Sequence, residues 1–227
     1  MPDPTLTNSG TGAASTASVT ATFGFTATAG RLLIMSVTAD DYDTGPPTGW
    51  TQPAGCAQEI NLGHYLWYKI AAGGETSAAY SLAGAAWSAW AVCEFDNISG
   101  FDTGVSAGQS TNVTDSSYST PTVTPSSGRR FAVAAIAGNT NGANYTDIGS
   151  WTNSYVERAD AGFNGTTIFG RVAIATLALD GTGSATTSTT ATYSGGVTPW
   201  RSGLIAVFNV TTTVTARPKP LALIGIG

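Results

Sequence analysis

Chemistry in this chain has few residues to start from. Its 227 residues hold one histidine, His64, and two cysteines, Cys56 and Cys93. Gly104-Val105-Ser106-Ala107-Gly108 spells the G-x-S-x-G pattern of a nucleophile elbow. That elbow needs a strand before the serine, a helix after it and a histidine later in the chain. Here Gln109-Ser110-Thr111-Asn112 follows, and His64 lies upstream, so the match is read as chance. One histidine and two distant cysteines make no zinc site without carboxylates. Asp40, Asp41 and Asp43 share a loop and could offer oxygens to calcium, but they lack the D-x-D-x-D-G spacing and read as a solvated acidic turn. Glu94 and Asp96 flank Phe95 and share a strand face. A glycosidase pair faces itself across a cleft of about 5–10 Å, so these two are assigned to a solvated strand end. No P-loop or dinucleotide fingerprint occurs. The expectation is a non-enzyme with no cofactor, no metal and no catalytic residue.

The elements around these residues read as strands. Arg31-Leu32-Leu33-Ile34-Met35-Ser36-Val37-Thr38 is apolar on both faces, as expected of a central strand covered above and below. A turn-rich stretch ends at Gly49-Trp50, then His64 to Ile70 alternates, then Gly73-Gly74-Glu75 turns the chain into Trp87 to Phe95. The order returns in the second half. Gly128-Arg129-Arg130 leads into Phe131 to Ala137, a loop ends at Trp151, Thr167 to Leu179 follows, and Leu204 to Val210 closes the copy. This is read as a degenerate internal duplication, with halves at about 30–102 and 128–210 and a polar linker at 103–127. Val19 to Thr28 reads as the first strand of a body spanning 19–210. Ala83 to Ala91 is the one stretch that could be argued as helical.

Composition supports an all-β sandwich. Only 10% of residues are charged, and Val, Ile, Thr and aromatics carry the periodic segments. The net charge is −5, and Arg129-Arg130 is the only adjacent basic pair, so the basic footprint of a nucleic-acid binder is missing. No apolar run reaches the ~18 residues of a membrane helix, and Met1 to Thr5 does not open a secretory signal. A soluble protein made in a cytoplasm is expected, with no membrane insertion. Two cysteines form no disulfide framework, and a Cys56–Cys93 bridge is left open. The five N-x-[ST] sequons are read as chance in a Thr-rich chain.

Both ends invite contact with something else. Residues 1–18, rich in Pro, Gly, Ser and Thr, read as an arm that orders only by lying on a surface. Residues 211–227 break the pattern: Arg217-Pro218-Lys219-Pro220 favours extended backbone, and Leu221-Ala222-Leu223-Ile224-Gly225-Ile226-Gly227 is apolar. This tail is expected to dock on another chain through Pro218, Pro220, Leu221, Leu223, Ile224 and Ile226. The aromatic strand puts Tyr65 and Trp67 on one face, to be covered by a loop of the same chain or to mark an interface. Trp50 and Trp151 read as core plugs beside matching turns. The sharper alternative is sugar stacking, in which Trp67, Tyr145 and Trp151 would serve.

The ordered set Gly30…Leu32-Leu33-Ile34, Gly49-Trp50, Tyr68-Lys69-Ile70-Ala71, Gly74-Glu75-Thr76 and Trp87…Phe95, with its weaker copy around Trp151 and Arg171, resembles a family of β-rich virion proteins of tailed bacteriophages, of the minor-tail or tail-fibre-associated type. The resemblance covers about Gly30 to Val210 and brings no catalytic pattern. It implies a jelly-roll-like antiparallel β-sandwich and a structural place on the virion, docked to tail or capsid proteins as a homo-oligomer, trimers included. The second copy departs from the first in replacing Lys-Ile-Ala by Arg171-Val172-Ala173-Ile174 and in losing the Gly-Gly-Glu turn. The expected function is that of a minor tail protein, with possible contact to a host surface glycan. The alternatives are a capsid decoration protein and a carbohydrate-binding module for a bacterial surface, and a hydrolase ranks last.

Overall fold

Segments of alternating or doubly apolar residues, broken by glycine-rich turns, form strands here throughout. The computed structural model describes residues 3–40, 45–59, 62–84, 87–112, 116–141, 147–165, 168–181, 186–194 and 200–211, and these contain no helix. Two five-stranded antiparallel sheets carry the fold. In the first, β1 (Leu6–Ala14), β7 (Ser88–Phe95), β3 (Leu32–Ala39), β5 (Gly63–Ile70) and β4 (Ala57–Glu59) lie side by side in that order. In the second the order is β12 (Val156–Asn164), β13 (Ile168–Leu179), β10 (Arg130–Asn141), β15 (Trp200–Val210) and β8 (Ile98–Asn112). Two small sheets complete the described residues: β2 (Ser18–Thr22) with β6 (Ser77–Ser81), and β11 (Asp147–Gly149), β14 (Thr190–Ser194) and β9 (Ser117–Ser119).

The pairings nest. In the first half β1 pairs with β7, β2 with β6 and β3 with β5. In the second half β8 pairs with β15, β9 with β14 and β10 with β13. The two large sheets meet through Leu32, Ile34, Leu66, Ala91 and Phe95 on one side and Phe131, Val133, Ile174, Leu204 and Phe208 on the other. Each small sheet then covers the far face of a large one. Val19, Ala21, Ala78 and Tyr80 lie over Leu33, Met35, Trp67 and Trp90. Ile148, Ala191 and Tyr193 lie over Ile136 and Ala173. Double cover explains why all eight residues of β3 are buried and why its sequence lacks the polar alternation of a strand wetted on one side.

Several expectations change against this frame. Residues 6–14, read as part of an arm that orders by lying on a surface, form the edge strand of the first sheet, in register with Ala14 opposite Ser88 and Ser9 opposite Cys93. Residues 103–127, expected as a linker, supply most of β8 and all of β9, because their Ser/Thr alternation suits an edge strand whose outer face is wet. Of Ala83 to Ala91, the stretch arguable as helical, Ser88 to Ala91 belong to β7, whose alternate residues serve two different cores. The tail positions Pro218, Pro220, Leu221, Leu223, Ile224 and Ile226, as well as Asp41, Asp43 and Tyr145, lie outside the described residues. Gly170 shows how close the sheets run: a Cβ there would overlap the Trp87 ring, itself stacked on Phe163 at 5.6 Å. Gly170→Ala is therefore expected to lower the melting temperature, since overpacking costs about 1–3 kcal/mol. An unchanged melting curve would show that Trp87 is not held there.

Candidate functional site

The polar residues that could do chemistry are drawn into the scaffold. His64 faces inward from β5 and is fully buried. Its Nε2 lies 3.1 Å from Ser36 Oγ on β3, and its Nδ1 lies 2.8 Å from Ser202 Oγ on β15, across the seam between the sheets. Ser36 Oγ donates its own proton to the Tyr65 carbonyl at 3.1 Å. Ser36 therefore accepts from Nε2–H, and Nδ1 accepts from Ser202. Burial holds the imidazole neutral, with its pKa lowered to about 3. A serine–histidine pair is the skeleton of nucleophilic catalysis, but Ser36 and Ser202 are both fully buried, so neither oxygen meets solvent. The arrangement bolts one sheet to the other.

Glu94 is the second polar centre, and not the solvated strand end expected for it. Its side chain is fully buried. It accepts from Thr7 Oγ1 at 2.7 Å, Asn8 Nδ2 at 2.6 Å, the Thr28 amide at 2.6 Å and Arg31 at 3.1 Å. Burial alone would raise its pKa, but the Thr28 amide, Thr7, Asn8 and Arg31 outweigh burial and hold it below the usual range. Asp96 turns elsewhere, accepting from the Thr5 amide and hydroxyl, so the two carboxylates do not act as a pair. Asp102, on the edge strand β8, makes a similar set of bonds from a strand that does not correspond to β7. It takes the Ser126 amide at 3.0 Å, the Ser126 hydroxyl at 2.9 Å and Arg130 Nε at 3.0 Å. Glu94 grips an amide and an arginine just before β3, and Asp102 grips an amide before β10 and Arg130, the first residue of that strand. Sequence reading missed both clamps, and the shared signal was an Arg directly preceding each apolar run, Arg31 before Leu32 and Arg130 before Phe131.

The cysteines are unpaired and buried. Cys56 Sγ points at the Ile205 carbonyl, 3.5 Å away. Burial pushes the Cys56 thiol up to about 12 and the Cys93 thiol up further. Thiolate is the reactive form, so neither thiol is expected to react with a disulfide reagent at pH 8 until the protein is unfolded. Rapid labelling of the native protein would contradict this. Ser106, centre of the elbow-like pattern, lies within β8 and donates to the Ala54 carbonyl at 2.8 Å. Among the described residues no three His, Cys, Asp or Glu side chains gather to hold a metal.

The sugar-stacking candidates separate. Trp67 is fully buried, stacked on Tyr65 at 5.6 Å and tilted against Tyr80 at 5.5 Å, with Nε1 donating to Gln52. A ring enclosed in this way has no face to offer a sugar, and the covering layer is the two-stranded β2–β6 sheet rather than a loop. Trp151 stays half-buried, with its Nε1 donating to Glu157 at 2.9 Å. Nearby Asp160 has its pKa pushed up to about 8, first by burial and then by its hydrogen bond with Asp147, against the pull of Arg171. The native state thus prefers Asp160 protonated. That contribution is complete below the ordinary value of 3.8 and disappears as pH rises through about 8. Asp160→Asn is expected to raise stability more at pH 8 than at pH 5. An equal shift at both pH values, read from urea midpoints, would mean that Asp160 is ionised in the fold.

Compared with known proteins, the chain matches no family model, no curated protein and no solved structure.

Proposed function

We propose that this protein is a non-enzymatic structural protein of a tailed-bacteriophage virion, a minor tail protein that works by docking to other virion proteins. One observation carries the non-enzymatic part of the reading. The histidine, both cysteines and Glu94 are buried, and His64 and Glu94 are committed to holding strands together. The virion assignment rests on the resemblance of the Gly30 to Val210 motifs. The finer architecture belongs to the same proposal: two copies of one jelly-roll-like unit packed through their large sheets. First-with-last, second-with-penultimate pairing in each half supports it. The apolar tail through Leu221, Leu223, Ile224 and Ile226 is the docking segment, and homo-oligomers are its setting.

The test is location and incorporation. Antibody labelling of purified particles by electron microscopy should place the protein at the tail, and deletion of residues 218–227 should remove it from particles without unfolding it. Labelling on the head would favour the capsid decoration reading. Absence from particles ends the virion proposal.

The carbohydrate-binding reading keeps one specific support, the half-exposed Trp151 ring held by Glu157. Binding to bacterial surface glycans on an array, abolished by Trp151→Ala, would establish it. Binding that survives that substitution removes it as framed.

A further inference from the structure

We infer that the central core opens at one end into an apolar mouth, and that this mouth receives the C-terminal tail of a second copy of the chain. The inference rests on the reading of residues 218–227 as a docking segment and adds the surface they dock on. The mouth exists because β4 is short. Its three residues pair only with Gly63 to Tyr65. An isolated bridge from Thr51 covers the edge of β5 at Tyr68, and among the described residues no strand pairs with Lys69 and Ile70 on that side. Tyr68 and Ile70 follow His64 and Leu66 in alternation and so belong to the inward face. Ile70 is nevertheless 40% exposed. From the other sheet, half-buried Phe101 meets Tyr68 at 5.5 Å, and both rings rest on buried Phe208, at 5.7 and 5.3 Å. The seam between the sheets thus ends in two half-covered aromatic rings and an exposed isoleucine.

The occupant follows from where the described chain stops. Thr211 donates to the Asn97 carbonyl at 2.8 Å and lies three residues past Phe208, about 10 Å along the strand. The next ten residues, Thr212 to Leu221, are rich in Thr, Val and Pro. Extended backbone advances about 3.1 Å per residue, so ten residues are long enough to span about 30 Å and reach a neighbour's mouth. Charge agrees. Residues 212–227 hold two of the nine basic side chains, Arg217 and Lys219, and none of the fourteen acidic ones, which leaves the rest of the chain at −7. A basic, apolar-ended tail suits an acidic body with an apolar opening, and another copy supplies one.

Mixed single-cysteine variants of the full chain test this. Ile70→Cys is made in one preparation, and Leu221→Cys, Leu223→Cys, Ile224→Cys and Ile226→Cys each in another. The native thiols are buried and should not compete. After mild oxidation of the mixtures, disulfide-linked heterodimers between Ile70→Cys and at least one tail variant are expected. Absence of any heterodimer overturns the inference. So does a chain carrying both substitutions that links only within itself, which would seat the tail in its own mouth. Ile70→Asp should abolish concentration-dependent association in sedimentation while leaving the near-ultraviolet circular dichroism unchanged. Association that persists also overturns it. The outcome is independent of particle location. Heterodimers with no protein on particles would sink the virion reading alone, and particle-bound protein without heterodimers would sink only the mouth.

Discussion

Replacing Glu94 with alanine is expected to lower the unfolding free energy by about 3–5 kcal/mol, the range for removing one partner of a buried charged network. The carboxylate is the common acceptor for Thr7, Asn8, the Thr28 amide and Arg31. Without it, donors on β1 and on the approach to β3 lose their shared partner, and each buried donor left unpaired costs about 1–3 kcal/mol. Arg31 is about one-third exposed, so its share is screened, and the amide and the neutral side chains carry most of the effect. The loss should be local first. Amide exchange along Leu6 to Ala14 should speed up before that of β3, since β1 is an edge strand held on one side only. Glu94→Gln keeps the shape but turns an amide donor toward these donors, and should recover less than half of the loss. Urea denaturation and hydrogen exchange measure both. A cost below about 1 kcal/mol, or unchanged exchange in β1, is inconsistent with a clamp at Glu94.

The second large effect is the response to acid through His64. Its folded pKa of about 3 lies below the ordinary 6.5 because the ring is buried and bonded as the neutral form. Below pH 6.5 the unfolded chain takes up a proton that the native state refuses. The contribution of His64 to stability is therefore intact above 6.5 and falls steadily toward pH 3. Each pH unit in that window is worth about 1.4 kcal/mol, so about 2.5 kcal/mol is lost by pH 4.5. Asp160 opposes this trend between about 4 and 6.5, because its native form is the protonated one. The His64 contribution is therefore read as a difference. His64→Gln offers an acceptor and a donor to Ser202 and Ser36 but does not titrate. Its stability relative to the parent should rise by about 2.5 kcal/mol between pH 7 and pH 4.5. A constant difference across that range would mean that the imidazole accepts a proton in the fold.

The inward bridge at His64, the clamp at Glu94 and the mouth at Ile70 were not equally visible beforehand. The alternation His64-Leu66-Tyr68-Ile70 put all four on one face, and that face does line the central core. What alternation could not supply was the partner. Ser202 lies 138 residues from His64, and Asn8 lies 86 from Glu94. Such separations are set by sheet topology, which leaves no local trace in the residues themselves. Glu94 looked solvated because acids at strand ends usually are. Burial became tolerable only because four donors from two other segments converge on it.

The amino-acid order alone determined that the chain is built of strands, where the doubly apolar ones run, and that a central strand follows an arginine in each half. Those properties come from short-range periodicity and backbone preference, which need no knowledge of what lies opposite. Tertiary structure alone decided that residues 6–14 and 98–112 close the edges of the two large sheets, that Trp67 is sealed while Trp151 is not, and that one histidine spans the seam. Each of those outcomes depends on which surfaces meet, and burial is a property of the pair of faces in contact, not of either strand by itself.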